Sequence, residues 1–192
     1  MNIMRDFRQA NKGQPFEELL RFVHERYETA GEAVMRKVPT EFIPIRNAIG
    51  QVCSVKVENK SSVDFLGRYK NIPVAAEAKH TSGDRIPFAQ VEDHQAEFLD
   101  VWDAPGVAAL VLVSYKLERF YAIPWTFWKA ARDAWRKQRG ERIEVKAYGR
   151  TWITPGMASV RADQLLTEWE IFPGGSTGLP YMDIITRLEM IE

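Results

Sequence analysis

The stretch "VAALVLVSY" (107–115) restricts the fold most. It forms the end of the chain's longest apolar run, "GVAALVLV" (106–113), which is far short of the roughly 20 residues that span a bilayer. A short continuous apolar run of this kind is a strand buried on both faces. "RFYAI" (119–123) reads as its hairpin partner. Helical patterns lie on both sides. In "PFEELLRFVHERYETAG" (15–31) the apolar residues 16, 19, 20, 23 and 27 share one face, Pro15 suits the first turn and Gly31 suits the residue after the end. "PFAQVEDHQAEFLDVW" (87–102) and "PWTFWKAARDAWRKQRG" (124–140) read as further helices. "AVMRKVP" (33–39) and "RIEVKAY" (142–148) read as strands, 161–168 as a short polar helix, 173–180 as a loop and "YMDIITRLEMI" as a closing helix. This order predicts an α/β fold with a mixed sheet.

A chain of 192 residues suffices for one compact domain. Cys53 is the only cysteine, which excludes an internal disulfide and fits a reducing compartment. The N-terminal "MNIMRDFRQANKG" has no apolar h-region, so no secretory signal is expected. Basic and acidic residues balance at 26 each, which argues against a surface coated with cations for nucleic acid. The charge is unevenly spread: 125–161 holds nine basic and three acidic residues, whereas the last 31 residues hold six acids and only Arg187. A basic face and an ordinary solvated helix both fit that pattern.

The chemistry concentrates in "SSVDFLGRYKNIPVAAEAKH" (61–80), which reads as two extended arms turning near Gly67–Asn71. Residues two apart on a strand share a face, so Glu77 and Lys79 stand side by side, while Val74, Ala76 and Ala78 point the other way. Pairing of the arms brings Asp64 near Glu77. Two close carboxylates raise each other's pKa, and a divalent cation resolves that conflict. The spacing alone is weak: Glu-x-Lys occurs at 58–60, 77–79 and 144–146, and an exposed cross-strand salt bridge fits 77–79 as well. Only there do an upstream acid and the Glu-x-Lys fall on adjacent expected strands. On the helix that follows, Phe88, Val91, Phe98, Leu99 and Trp102 form an apolar stripe, and Gln95 lies on it. A core-facing amide needs partners, either a metal-bound water or ligand, or nearby backbone. With three histidines and one cysteine, zinc is not expected.

"SVDFLGRYKNIPVAAEAKHT", "HQAEFL", "PGVAALVLVSY" and "FYAIPW" resemble the RecU-type Holliday-junction resolvases, within the wider PD-(D/E)xK nuclease group. "KGQPFEELL" is similar to that family's opening helix, "MRKVPT" to its first strand and "GGSTGLPYMDIITRLE" to its C-terminal stretch, so the resemblance runs in order from Lys12 to Glu189. It implies a restriction-endonuclease-like mixed sheet flanked by helices, as a single nuclease domain over 1–192, with 40–59 as a short stalk-like insertion carrying only Arg46 and Lys56 as basic residues. It implies Asp64 and Glu77 as metal ligands and catalytic residues, Lys79 as the catalytic lysine, and Gln95 as a member of the metal site. Ser62 stands where the family usually has threonine, and Glu17 matches an acid on the first helix; Val63 departs from the proline of the wider nuclease signature.

The implied activity is structure-selective, Mg²⁺-dependent cutting of four-way or branched DNA, with Mn²⁺ as a substitute, by a cytoplasmic homodimer that does not engage membranes. Junction recognition is mostly of shape and phosphate, so Arg36, Lys37, Lys70, Arg85, Arg132 and Arg136, with Lys137, are the candidate DNA contacts. Another PD-(D/E)xK endonuclease acting on duplex or branched DNA and a non-catalytic DNA-binding module of the same fold are the alternatives.

Overall fold

The computed structural model describes residues 15–39, 41–47, 49, 51–59, 62–138 and 141–188; at 41–46, 52–59 and 138 the description is of the backbone. The chain opens with helix α1 (Pro15–Thr29), which buries Phe16, Leu19, Leu20, Val23 and Tyr27 along the expected face. Each such side chain contributes about 1.5–3 kcal/mol when fully buried. Gly31, at φ +71°, takes the left-handed turn that ends the helix. There follow β1 (Ala33–Lys37), β2 (Glu41–Arg46), β3 (Val52–Asn59), β4 (Phe65–Tyr69), β5 (Ile72–Thr81) and β6 (Arg85–Pro87). Next come α2 (Asp93–Trp102), β7 (Ala108–Tyr115), β8 (Arg119–Pro124) and α3 (Trp125–Gln138). The chain then forms β9 (Glu144–Ala147), β10 (Arg150–Ile153), β11 (Ser159–Arg161), β12 (Glu170–Ile171) and α4 (Asp183–Arg187).

Six strands form the main sheet in the order β1-β4-β5-β7-β8-β12. Only β5 and β7 pair in parallel, because α2 carries the chain back between them; the other neighbours are antiparallel. The expected α/β class with a mixed sheet is therefore observed. Every residue of β7 is buried, as its unbroken apolar run requires. β2 and β3, within the expected insertion, pair as their own two-stranded ladder, separate from the main sheet. No helix among the described residues is long and apolar enough to cross a membrane.

Several boundaries differ from the sequence reading. The helix expected over 87–102 is a 3-10 turn at Phe88–Gln90 followed by α2 from Asp93. The short polar helix at 161–168 is two 3-10 turns, Ala162–Gln164 and Thr167–Trp169. The strand 142–148 shrinks to β9, because Tyr148 and Gly149 turn the chain into β10 with φ of 49° and 63°. The closing helix is described only over Asp183–Arg187, and its expected end, like Lys12 and Glu189 at the limits of the resemblance, lies outside the described residues.

Candidate active site

β4 and β5 are joined by a two-residue turn at Lys70 and Asn71, with Lys70 at φ 52°. The ladder pairs Phe65 with Ala76, so Asp64, one residue before β4, arrives beside Glu77. The two acids are tied through the backbone in both directions. The Asp64 amide donates to Glu77 Oε2 at 3.1 Å, and the Ala78 amide donates to Asp64 Oδ2 at 2.8 Å. The Val38 amide, just past β1, donates to the Asp64 carbonyl at 2.9 Å, which fixes the backbone from the far side.

Strand β5 does not have one wet face. Val74 through Ala78 are all buried, and Glu77 is 0% exposed. An exposed salt bridge is therefore excluded for 77–79. Lys79 lies 2.5 Å from Glu77 Oε1 and is largely shielded. Gln95, on the first turn of α2, completes the group. Its Nε2 donates to Glu77 Oε1 at 2.7 Å. Its Oε1 accepts from Lys79 Nζ at 3.2 Å and from the Glu92 amide at 3.0 Å. The polar residue on an apolar stripe thus has its partners: the backbone amide of Glu92, in a capping box, and the side chains of Glu77 and Lys79 on β5.

Burial, and then the charge of Asp64, push the Glu77 carboxyl up to about 8 in spite of the neighbouring ammonium of Lys79. Without a cation, Glu77 is largely protonated at neutral pH. This is the donor set that a hard divalent cation relieves: two carboxylates, one of them holding a proton for want of positive charge, with amide oxygen nearby. Among the described residues there is no group of three or more His, Cys, Asp or Glu. A divalent cation here would draw on the two carboxylates and complete its shell with neutral oxygens.

The remaining expected residues are placed as follows. Ser62 is half-buried two residues before Asp64. Glu17 on α1 pairs with Lys37 at the end of β1, and Lys37 is opposite Phe65 in the ladder. That ion pair stands one residue from Asp64 in register. Arg36 forms a two-pronged pair with Glu28. Arg85 donates to Ser159 from Nε and Nη2, joining β6 to β11. Lys70 sits at the hairpin turn with its ammonium over the Tyr69 ring, about 20 Å from the site by strand rise. Arg132 is buried rather than on a solvated face, and both it and Arg136 bind Asp93. Sequence reasoning missed Asp93 altogether; the signal was an acid at a helix start with two arginines four apart on a later helix. A cleft of about 540 Å³ between residues 103–107, the start of α3 and the β9–β10 turn touches none of the four site residues.

The family model for "Recombination protein U" matches residues 11–165. The chain belongs to the recombination protein U family. Curated relatives agree over most of its length. The chain is 25% identical over 186 residues to the Holliday junction resolvase RecU of Streptococcus uberis, covering 93% of this chain and 83% of that protein. It is 25% identical over 185 residues to that of Streptococcus gordonii, covering 93% and 84%. With that of Streptococcus pneumoniae it shares 27% over 122 residues, covering 60% of this chain and 62% of the relative. The matched family region contains Asp64, Glu77, Lys79 and Gln95, so the site assembled from geometry lies within the part that defines membership.

Proposed function

We propose that this chain is a structure-selective endodeoxyribonuclease that resolves four-way DNA junctions by hydrolysing phosphodiester bonds at the Asp64, Glu77, Lys79 and Gln95 site. The observation that carries the reading is the contact of a buried Glu77 with both Lys79 and Gln95, beside Asp64, in a chain of the recombination protein U family. Asp64 and Glu77 would hold Mg²⁺, with Mn²⁺ as a substitute, and Gln95 or Ser62 would complete the protein's share. Such a cation supplies Lewis acidity toward the phosphate and toward water.

The residues of the chain perform the rest. Glu77, whose carboxyl is pushed up by burial and by Asp64, would serve as a ligand in its deprotonated form. Lys79, tethered by Gln95, holds a fixed positive charge beside the position where a phosphate gains negative charge. The reaction adds water to phosphorus and breaks the bond to the 3′ oxygen, leaving a 5′-phosphate and a 3′-hydroxyl. Two symmetric cuts call for two copies of the site, hence a C2 homodimer facing a substrate of matching symmetry. Arg36, Lys37, Lys70 and Arg85 would contact phosphates, the 40–59 ladder would serve as the stalk, and the protein would act in the cytoplasm.

The test is a nicking assay on an immobile four-way junction with Mg²⁺. Wild type should cut the junction in paired fashion and leave linear duplex nearly untouched. Asp64→Ala should lose at least roughly a hundredfold in rate, since a metal ligand and the site's charge balance go together. Equal rates on junction and duplex would point to a general endonuclease of the same fold. Full activity of Asp64→Ala would remove the site assignment.

A further inference from the structure

We propose that Arg132 and Arg136 are positioning residues: through Asp93 they hold the first turn of α2 against α3, and so keep Gln95 aligned between Glu77 and Lys79. The inference rests on the nuclease reading above and adds to it a structural route from the basic helix to the site.

Three observations carry it. Arg132 and Arg136 are four apart on α3, so their guanidinium groups share one side of the helix and repel each other. That arrangement needs a common anion, and Asp93 supplies it: both arginines donate to the same oxygen, Oδ1. The exposures are lopsided in a telling way. The Asp93 side chain is 70% exposed and would be well solvated alone, whereas that of Arg132 is 8% exposed and its Nε has no partner among the described residues. A buried cation with an unmet donor is costly, so the contact to Asp93 is what makes Arg132 tolerable where it lies.

The third observation is where Asp93 stands. It is the first residue of α2, and Gln95 is the third. Gln95 links that turn to the side chains of Glu77 and Lys79. Phe88, in the preceding 3-10 turn, meets Trp128 of α3 edge to face with ring centres 5.1 Å apart. The segment leading into Gln95 is therefore braced against α3 twice, once by packing and once by charge. Loosening the charged brace lets the turn slide along the sheet, and small misplacements of a site residue are expensive in rate.

The competing account is that both arginines are phosphate contacts that rest on Asp93 until DNA arrives. Asp93→Asn and Arg136→Gln separate the two: Arg136 is exposed enough for its loss to leave folding intact, and Asp93→Asn, which strips the buried Arg132 of its anion, is assayed below its own measured Tm. Three quantities are read: the single-turnover cutting rate on a saturating immobile junction, the junction Kd in Ca²⁺ with its salt slope, and hydrogen exchange of the 94–96 amides. Each substitution should lower the cutting rate by roughly ten- to a hundredfold and speed amide exchange in that turn. Kd and its salt slope should stay within about twofold, and the double variant should be no slower than the worse single one. Wild-type cutting by Asp93→Asn, or a weakened Kd with a shallower salt slope in Arg136→Gln at unchanged rate, would overturn the proposal in favour of phosphate contact. A wild type that cuts no junction would fail the functional reading alone; unchanged amide exchange in both variants would then refute the brace by itself.

Discussion

Glu77 concentrates the conflict on which this fold is built. Its carboxyl is raised from 4.5 to about 8, chiefly by burial and then by Asp64. Between those values the folded chain binds a proton that the unfolded chain has released. Stability therefore falls as pH rises through that window, and the contribution is fully present only below it. Each pKa unit corresponds to about 1.4 kcal/mol, so the effect is on the order of a few kcal/mol. Without divalent cation, the urea midpoint of the wild type should drop between pH 5 and pH 8. Glu77→Gln, neutral throughout, should flatten that drop, and at pH 8 it should unfold at higher urea than the wild type while failing to cut DNA. An equal drop in both proteins would show that the carboxyl is not the source. His24 works in the opposite direction. Burial and then Arg36 lower it to about 3, so it costs stability as pH falls below 6.5. Between pH 5 and 6.5 His24 therefore offsets part of the Glu77 drop in both proteins, and the difference between wild type and Glu77→Gln isolates the carboxyl.

At the scale of elements, β1 and β4 approach so closely that their contact depends on a missing side chain. A Cβ on Gly67 would lie 2.0 Å from the Val34 carbonyl oxygen and 2.8 Å from Met35 Cα. Backbone atoms of a paired strand cannot give way as a flexible side chain does. Gly67→Ala should cost about 1–3 kcal/mol through overpacking, a fall in Tm of roughly 3–10 °C for a chain of this size, readable by differential scanning calorimetry. It should also slow cutting, because a displaced β1 carries away the Val38 amide that holds Asp64. An unchanged Tm would mean that β1 can step aside without loss. The same elements show why some features were legible and others were not. Strand alternation placed Glu77 beside Lys79, and the hairpin placed Asp64 opposite, because both follow from local geometry. The 3.6-residue stripe singled out Gln95. The start of α2 was misread because Pro87 and Phe88 extend the helical pattern backward, although 88–90 form a 3-10 turn. The pairing of Asp93 with Arg132 and Arg136 spans 39 and 43 residues and left no periodic trace; only the packing of α2 against α3 reveals it. Likewise, nothing in the β5 pattern said that both of its faces are covered, which depends on what the helices bring.

For the whole molecule, 26 basic and 26 acidic residues leave no general attraction for DNA. Binding must then come from a few local cations, and several of the candidates are held in ion pairs. Arg132 and Arg136 face Asp93, Arg36 faces Glu28 and Lys37 faces Glu17. A phosphate approaching Arg36 or Lys37 must displace a carboxylate, which weakens the contact and makes it sensitive to salt. Four cations, Arg36, Lys37, Lys70 and Arg85, give a slope of log K against log salt no steeper than about −4 per protomer, or about −7 for a dimer, at 0.9 per neutralised phosphate. Junction Kd measured in Ca²⁺ across a range of KCl reads that slope directly. Arg85→Gln should reduce it by about 1 without changing the cutting rate at saturation, because Arg85 joins β6 to β11 and touches none of Asp64, Glu77, Lys79 and Gln95. A much steeper wild-type slope would mean that cations beyond these four contact the DNA.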